Sequence, residues 1–209
     1  MKYLSVALLL LYNLAFAQSD AQKPPTKAAL WQAQISPEKA APTEAQQTFA
    51  LMKTLAGSWE GPVTLDPLMP GMTEQPINPL HVTMRVTSRG NAIVHEMQEA
   101  NTPLDPSRYD HPVTMFYVDA DRLNLVHYCD AGNRPRMTGK IAPDGKSVEF
   151  DFVELSGGNE HGHMHHAVFT IIDANHHIED WTYMLPGDKA IHARADLKRT
   201  NAGSGTSGN

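Results

Sequence analysis

From Ser58 to Thr200 apolar side chains recur at every second position, and clusters of Gly, Pro, Asn or Asp interrupt them roughly every ten to fifteen residues. A period of two marks a strand with one buried face, and a run of such segments joined by turn residues reads as an antiparallel meander. The pattern predicts ten strands: Ser58 to Leu65, Leu80 to Ser88, Ala92 to Ala100, Pro112 to Asp119, Arg122 to Cys129, Arg134 to Ile141, Ser147 to Leu155, His163 to Ile172, His177 to Leu185 and Ala190 to Thr200. Arg89-Gly90-Asn91, Asp119-Ala120-Asp121, Pro143-Asp144-Gly145 and Pro186-Gly187-Asp188 are tight-turn sequences whose residues tolerate positive φ. Two joins are longer, Pro67 to Pro79 with four prolines and Asn101 to His111 with Pro103 and Pro106, and both read as loops over a barrel mouth. Left as an open sheet, the strands would expose two unpaired edges, so an all-β, up-and-down antiparallel barrel is the expected fold. Ten strands exceed the roughly eight that side chains alone can fill, which predicts an enclosed cavity and hence a ligand. The competing reading is a flattened, filled barrel acting as an interaction scaffold.

Ahead of the strands the periodicity differs. Between Thr43 and Gly57 the apolar Phe49, Met52 and Leu55 recur at a spacing of three. Thr43 stands three residues before Gln46 as in a capping box, and Gly57 can end the segment, which predicts one short amphipathic helix. Residues 18–42 are poor in large aliphatics and carry Pro24, Pro25, Pro37 and Pro42, a disordered-linker composition, and the Gly/Ser-rich residues 201–209 read as a flexible tail. Residues 1–17 place Lys2 before an apolar run from Leu4 to Leu11 and end in Ala15-Phe16-Ala17, the pattern of a secretory signal peptide cleaved after Ala17. The expectation is an exported protein, periplasmic or secreted, whose barrel domain spans residues 43–200. No later stretch approaches the ~20 apolar residues of a membrane-spanning helix.

Charge and cysteine usage narrow the partners. With 17 Lys and Arg against 23 Asp and Glu, a net charge of -6 and no basic cluster, the chain lacks the electrostatic footprint of nucleic-acid or membrane-surface binding. Export would permit disulfides, yet the single Cys129 cannot close an internal bridge, so the fold must hold by packing. Cys129 reads either as a small buried apolar residue or as a metal ligand or reactive thiol.

Leu55-Ala56-Gly57-Ser58-Trp59-Glu60-Gly61 sets a Gly-x-Trp directly after the helix at the head of the first strand. This resembles the lipocalin and fatty-acid-binding-protein superfamily, the calycins, in which the Trp plugs one end of the barrel. Two further stretches, Leu125-Val126-His127-Tyr128-Cys129 with Gly132-Asn133-Arg134-Pro135-Arg136-Met137, and His163-Met164-His165 with Asp173, His176 and Trp181, resemble a bacterial, uncharacterised family of exported calycin-like domains. The resemblance covers about Phe49 to Thr200 and implies a fold, with no activity attached. A more distant similarity is to nitrobindin-like barrels, which bind haem through a His late in the chain and are linked to peroxynitrite isomerisation. The matching position here would be His192 in Ile191-His192-Ala193-Arg194.

Eleven histidines are the compositional feature that points toward chemistry, and strand alternation sorts them by face. Leu123, Leu125, His127 and Cys129 share one face; His163, His165, Ala167, Phe169 and Ile171 share another; Ile93, His95 and Met97 share a third. Their apolar members argue that all three sets point inward. Alternate strands of a meander reverse direction, so the end of the fifth strand and the start of the eighth meet at one rim, where Arg136 also arrives. One site reading follows for metal: His127, His163, His165 and Cys129 around zinc or another transition metal, with haem on one of these His or on His192 as the related alternative. The other is organic: His95, His127 and Arg136 hold a carboxylate while Met84, Met97, Met115, Leu125 and Trp181 contact an apolar body. The ordinary reading makes His161, His163, His165 and His166 a solvated turn and strand start, and His127 a core residue satisfied by a neighbour.

Nucleophilic catalysis fits poorly, because Ser88, Ser107 and Ser156 sit at turns without a nucleophile elbow. The carboxylates of Asp119 with Asp121 and of Glu179 with Asp180 lie at turns or on opposite faces, and they read as solvated. The sequence therefore favours a small-molecule or metal binding protein over an enzyme. The rival is a metal-assisted enzyme that activates water at an open coordination position and acts on a small substrate.

Overall fold

The computed structural model describes residues 41–200 apart from residue 77; the expected signal segment, the tail and nearly all of the expected linker lie outside the described residues. Helix α1 (Glu44–Lys53) opens with the expected capping box: the Gln46 N–H donates to Thr43 Oγ1 at 3.3 Å and the Thr43 N–H donates to Gln46 Oε1 at 3.1 Å. Two donors that the first turn would otherwise leave unpaired are satisfied this way. The helix stops at Thr54, and Gly57, at a φ of 144° that disfavours any side chain, begins the first strand.

Eleven antiparallel strands follow: β1 (Gly57–Gly61), β2 (Val63–Asp66), β3 (Leu80–Thr87), β4 (Ala92–Glu99), β5 (Val113–Asp119), β6 (Arg122–Tyr128), β7 (Arg134–Ile141), β8 (Ser147–Ser156), β9 (His163–Asp173), β10 (His176–Leu185) and β11 (Lys189–Arg199). Each of β3 to β10 pairs with the next in chain order, β1 pairs with β3, β2 pairs with β11, and β1 also pairs with β11 at Trp59↔Arg199 and Glu60↔Lys198. The sheet therefore closes into a barrel. β1 and β2 are the halves of what reads in the sequence as one strand, broken at Pro62, which has no N–H for the ladder. Counted as one bent strand they make the barrel ten-stranded. The bend brings Gly61 against β11 so tightly that a Cβ there would run into the Asp196 carbonyl.

One end of the barrel is filled. Met52, Leu55 and Trp59 are fully buried, and Trp59 Nε1 donates to the Leu55 carbonyl at 2.8 Å. The Arg199 guanidinium lies 4.0 Å over the Trp59 ring while its Nη1 donates to the Ala56 carbonyl at 2.7 Å, joining the last strand to the helix-strand junction. Next comes a layer of Phe116, Phe150 and Phe169 with ring centroids 5.3 to 5.9 Å apart. Gly139 makes room for it, since its missing Cβ would lie 2.5 Å from the Phe150 ring. Fully burying each such side chain contributes about 1.5–3 kcal/mol, so this half carries much of the packing. The expectation of a filled barrel holds for this half; beyond it the interior opens.

Candidate functional site

Two adjoining cavities of about 290 Å³ and about 230 Å³ share Asp110, Pro112, Met164, Trp181 and Ala193 in their walls and form the lobes of one space. Val63, Leu80, Met97 and Ala195 complete much of the first lobe; Leu65, Met69, His127, Cys129, Asp130, Tyr183 and Ile191 complete the second. Met69 comes from the first long loop and Asp110 from the end of the second, so both loops reach the cavity wall. The walls are mostly apolar, and the polar groups that reach the interior stand out.

One is Glu179, fully buried on β10 between His177 and Trp181. Its carboxylate accepts from His95 Nε2 at 3.1 Å to each oxygen, from His177 Nε2 at 3.0 Å and from Trp181 Nε1 at 3.0 Å. Burial alone pushes its pKa up, but the coulombic pull of His95 and the hydrogen bonds from His177 and His95 outweigh it, holding the carboxyl well below the usual carboxylate range. This residue corrects the sequence expectation of a solvated Glu179–Asp180 pair. The missed signal was its place in the period-two series His177, Glu179, Trp181, which assigns it to the inner face with two large rings.

His127, on the inner face of β6 with Leu123 and Leu125, is likewise fully buried. Its Nδ1 is bonded to Thr114 Oγ1 at 2.8 Å, its ring lies 5.6 Å from that of Trp181, and its Nε2 has no hydrogen-bond partner among the described residues. Burial, with a smaller push from His95, lowers its pKa to about 3, so the imidazole stays neutral. The alternation that placed Ile93, His95 and Met97 inward on β4 holds, and Met97 lines the first lobe, whereas His95 is committed to Glu179 and lines neither. Trp181 forms part of both lobes.

Four expected residues are placed elsewhere. Arg136 pairs with Glu154 at 2.8 Å on the outer face, because Pro135 and Met137 on either side of it are the buried residues of β7. Met115 also faces out, since Thr114 and Phe116 take the inner positions of β5. His163 and His165 are hydrogen-bonded to each other at 3.1 Å and lie against Phe152, with His163 also bonded to Asn159 at 2.9 Å. A bulge explains them: opposite Thr182 and Tyr183 of β10 stand His166 and Met164, which leaves His165 as the extra residue and puts Met164 in the cavity wall. No hydrogen bond or ring contact among the described residues joins His127 to either, so the expected quartet of His127, His163, His165 and Cys129 is not assembled; Cys129 alone shares a lobe with His127. His192 is exposed and bonded to Thr182 Oγ1 at 3.1 Å, while its neighbours Ile191 and Ala193 line the cavity. The position nominated by the nitrobindin resemblance therefore does not fit a haem ligand.

No family model matches the chain, and no curated protein matches it. Among solved structures it is similar to Rv2717c from M. tuberculosis, with 16% sequence identity and a TM-score of 0.53 over 78% of this chain and 100% of that one. A protein of unknown function from the DUF3598 family of Nostoc punctiforme is also similar, with 9% identity and a TM-score of 0.37 over 71% of this chain and 48% of that one. The likeness to Rv2717c is one of fold.

Proposed function

We propose that the protein is an exported, calycin-like binding protein that takes a small, mostly apolar molecule into the barrel cavity and meets one polar atom of it with His127. The observation that carries this reading is His127 Nε2, a buried nitrogen without a partner among the described residues in the wall of a lobe whose charged groups, Asp110 and Asp130, are exposed. A buried polar atom left unpaired costs about 1–3 kcal/mol, which a hydroxyl, carbonyl or amine of a ligand recovers. Because the imidazole is neutral, the ligand's polar group need not be charged. A binding role fits better than catalysis, since Glu179, His95 and His177 line neither lobe and so stand apart from anything the cavity holds.

Titration with 1-aminoanthracene, a neutral aromatic amine, tests the reading. The expected result is one probe per chain, quenching of tryptophan fluorescence that disappears in Trp181→Phe, and affinity about tenfold weaker in His127→Leu, equivalent to about 1.4 kcal/mol. Absence of binding, or equal affinity in His127→Leu, refutes it. Haemin is titrated in parallel: a Soret band that depends on His127 would replace the organic ligand with haem.

A further inference from the structure

We propose that the mouth of the second lobe is a site for a divalent cation of the zinc and cobalt class, held by the Cys129 thiolate and the carboxylates of Asp110 and Asp130. One ligand atom from each of these residues lies within 4.8 Å of the other two, a span that a single ion bridges with bonds of roughly 2.0–2.3 Å after small side-chain movements. The backbone already draws the group together. The Asp130 N–H donates to Asp110 Oδ1 at 3.2 Å, and a turn closed by the Gly132 N–H on the Cys129 carbonyl at 3.1 Å contains Asp130.

Two kinds of observation point to a ligand here. The first is two carboxylates outside any ion pair, with Arg108 sharing the outer hollow but bonded to neither. Neither Asp110 nor Asp130 enters an ion pair among the described residues, although both stand beside Cys129. A cation between the two carboxylates relieves their mutual repulsion. The second is unpaired nitrogen on both sides of the group. Fully buried His127, with Nε2 unpartnered, lines the inner lobe that contains Asp110, Cys129 and Asp130. On the outer side the same three residues line a hollow of about 470 Å³ together with His111, whose Nε2 is also buried and unpartnered among the described residues.

The donor set selects the metal class. Hard magnesium and calcium prefer oxygen-only shells, whereas a thiolate with carboxylates and nearby imidazole suits zinc or cobalt. The second acidic cluster, Glu149, Asp151 and His166, offers no such case, because the Lys140 ammonium already lies 3.0 Å from Asp151 and 3.6 Å from Glu149.

The cation site shares the unpartnered His127 Nε2 with the organic-ligand reading but not its ligand, and cobalt is titrated without 1-aminoanthracene, so the two fail separately. The test uses the full chain without an affinity tag, stripped with a chelator and titrated with Co²⁺. The expected result is one cobalt per chain with a thiolate-to-cobalt charge-transfer band in the near ultraviolet. Cys129→Ser should abolish the band, and Asp110→Asn and Asp130→Asn should each weaken binding by about tenfold or more, with circular dichroism confirming that each variant folds. No thiolate band, or affinity unchanged in Cys129→Ser or in Asp130→Asn, overturns the proposal; binding lost only in His166→Ala would assign the cobalt to the outer acidic cluster and overturn it equally.

Discussion

Replacing His127 by Leu should remove a defined part of the protein's acid sensitivity. In the folded protein burial holds this imidazole at a pKa of about 3, while in the unfolded chain it titrates near the ordinary 6.5. The folded value is the lower one, so between the two the unfolded state binds a proton that the folded state refuses. Stability from this group is thus fully present above about 6.5 and is lost as the pH falls toward 3. Integrating the difference gives about 2 kcal/mol lost between pH 7 and pH 5. Leu has a similar volume and no proton to take up. It leaves the Thr114 hydroxyl unpaired, but that cost is the same at both pH values and cancels. His163, lowered by burial and by His165, contributes with the same sign in wild type and variant alike. Glu179, whose carboxyl is held low, begins to withdraw stability only as the pH falls through the unfolded carboxylate value near 4.3, beneath this window. Urea unfolding followed by circular dichroism at pH 7 and pH 5, at fixed ionic strength, measures the four stabilities. Wild type should lose about 2 kcal/mol more than His127→Leu. An equal loss in both chains would show that His127 is not held neutral by burial, and the account of the cavity wall would fall with it.

Two further outcomes follow from the packed half of the barrel. Glu179→Gln keeps the shape of the side chain but removes the charge that faces His95 and His177, and breaking a buried pair from one side costs about 3–5 kcal/mol, or roughly 10 °C in a domain of this size; calorimetry showing a loss under about 1 kcal/mol would mean that the carboxylate's charge is not what holds the cluster. Gly139→Ala should cost about 1–3 kcal/mol in denaturant, because the new methyl meets the Phe150 ring inside a close-packed layer, and an unchanged midpoint would show that the ring can move aside.

The barrel was legible because one physical signal, side chains alternating between a dry face and a wet one, runs through almost every strand and is punctuated by turns at regular distance. The same signal assigned the inner positions of β4 and β6, including His95 and His127, without error of face. It failed where the chain departs from strict alternation. The extra residue at His165 moves Met164 into the wall, an event that no local composition announces because a bulge is set by pairing with β10 rather than by the residues themselves. Arg136 and Met115 face out for a different reason: strict alternation holds there, and Pro135 and Met137 on β7 and Thr114 and Phe116 on β5 occupy the inner positions. Glu179 was obscured by its neighbour Asp180, which does face out and pairs with Arg194 at 2.8 Å. Alternation already sets two adjacent carboxylates on opposite faces; what it leaves open is that the inner one is held by His95, His177 and Trp181 rather than by water.

The buried cluster around Glu179 asks for an explanation other than stability. Taking a carboxylate and its partners out of water costs several kcal/mol per ion, and well-packed apolar residues of similar volume often do as well or better. What the cluster does achieve is orientation. Glu179 holds the indole of Trp181 by its Nε1, so that the rest of the ring lies against both lobes and 5.6 Å from His127. His95, clamped on the same carboxylate, is fixed with its ring edge-to-face against Phe116 at 6.2 Å and Phe169 at 5.9 Å, and it stands 5.9 Å from Trp181. An apolar replacement would fill the volume yet leave the indole to settle by packing alone. The charged cluster instead ties the floor of the cavity to the filled half of the barrel, and a cavity whose floor is held by directional bonds meets a ligand with less ordering left to do on binding.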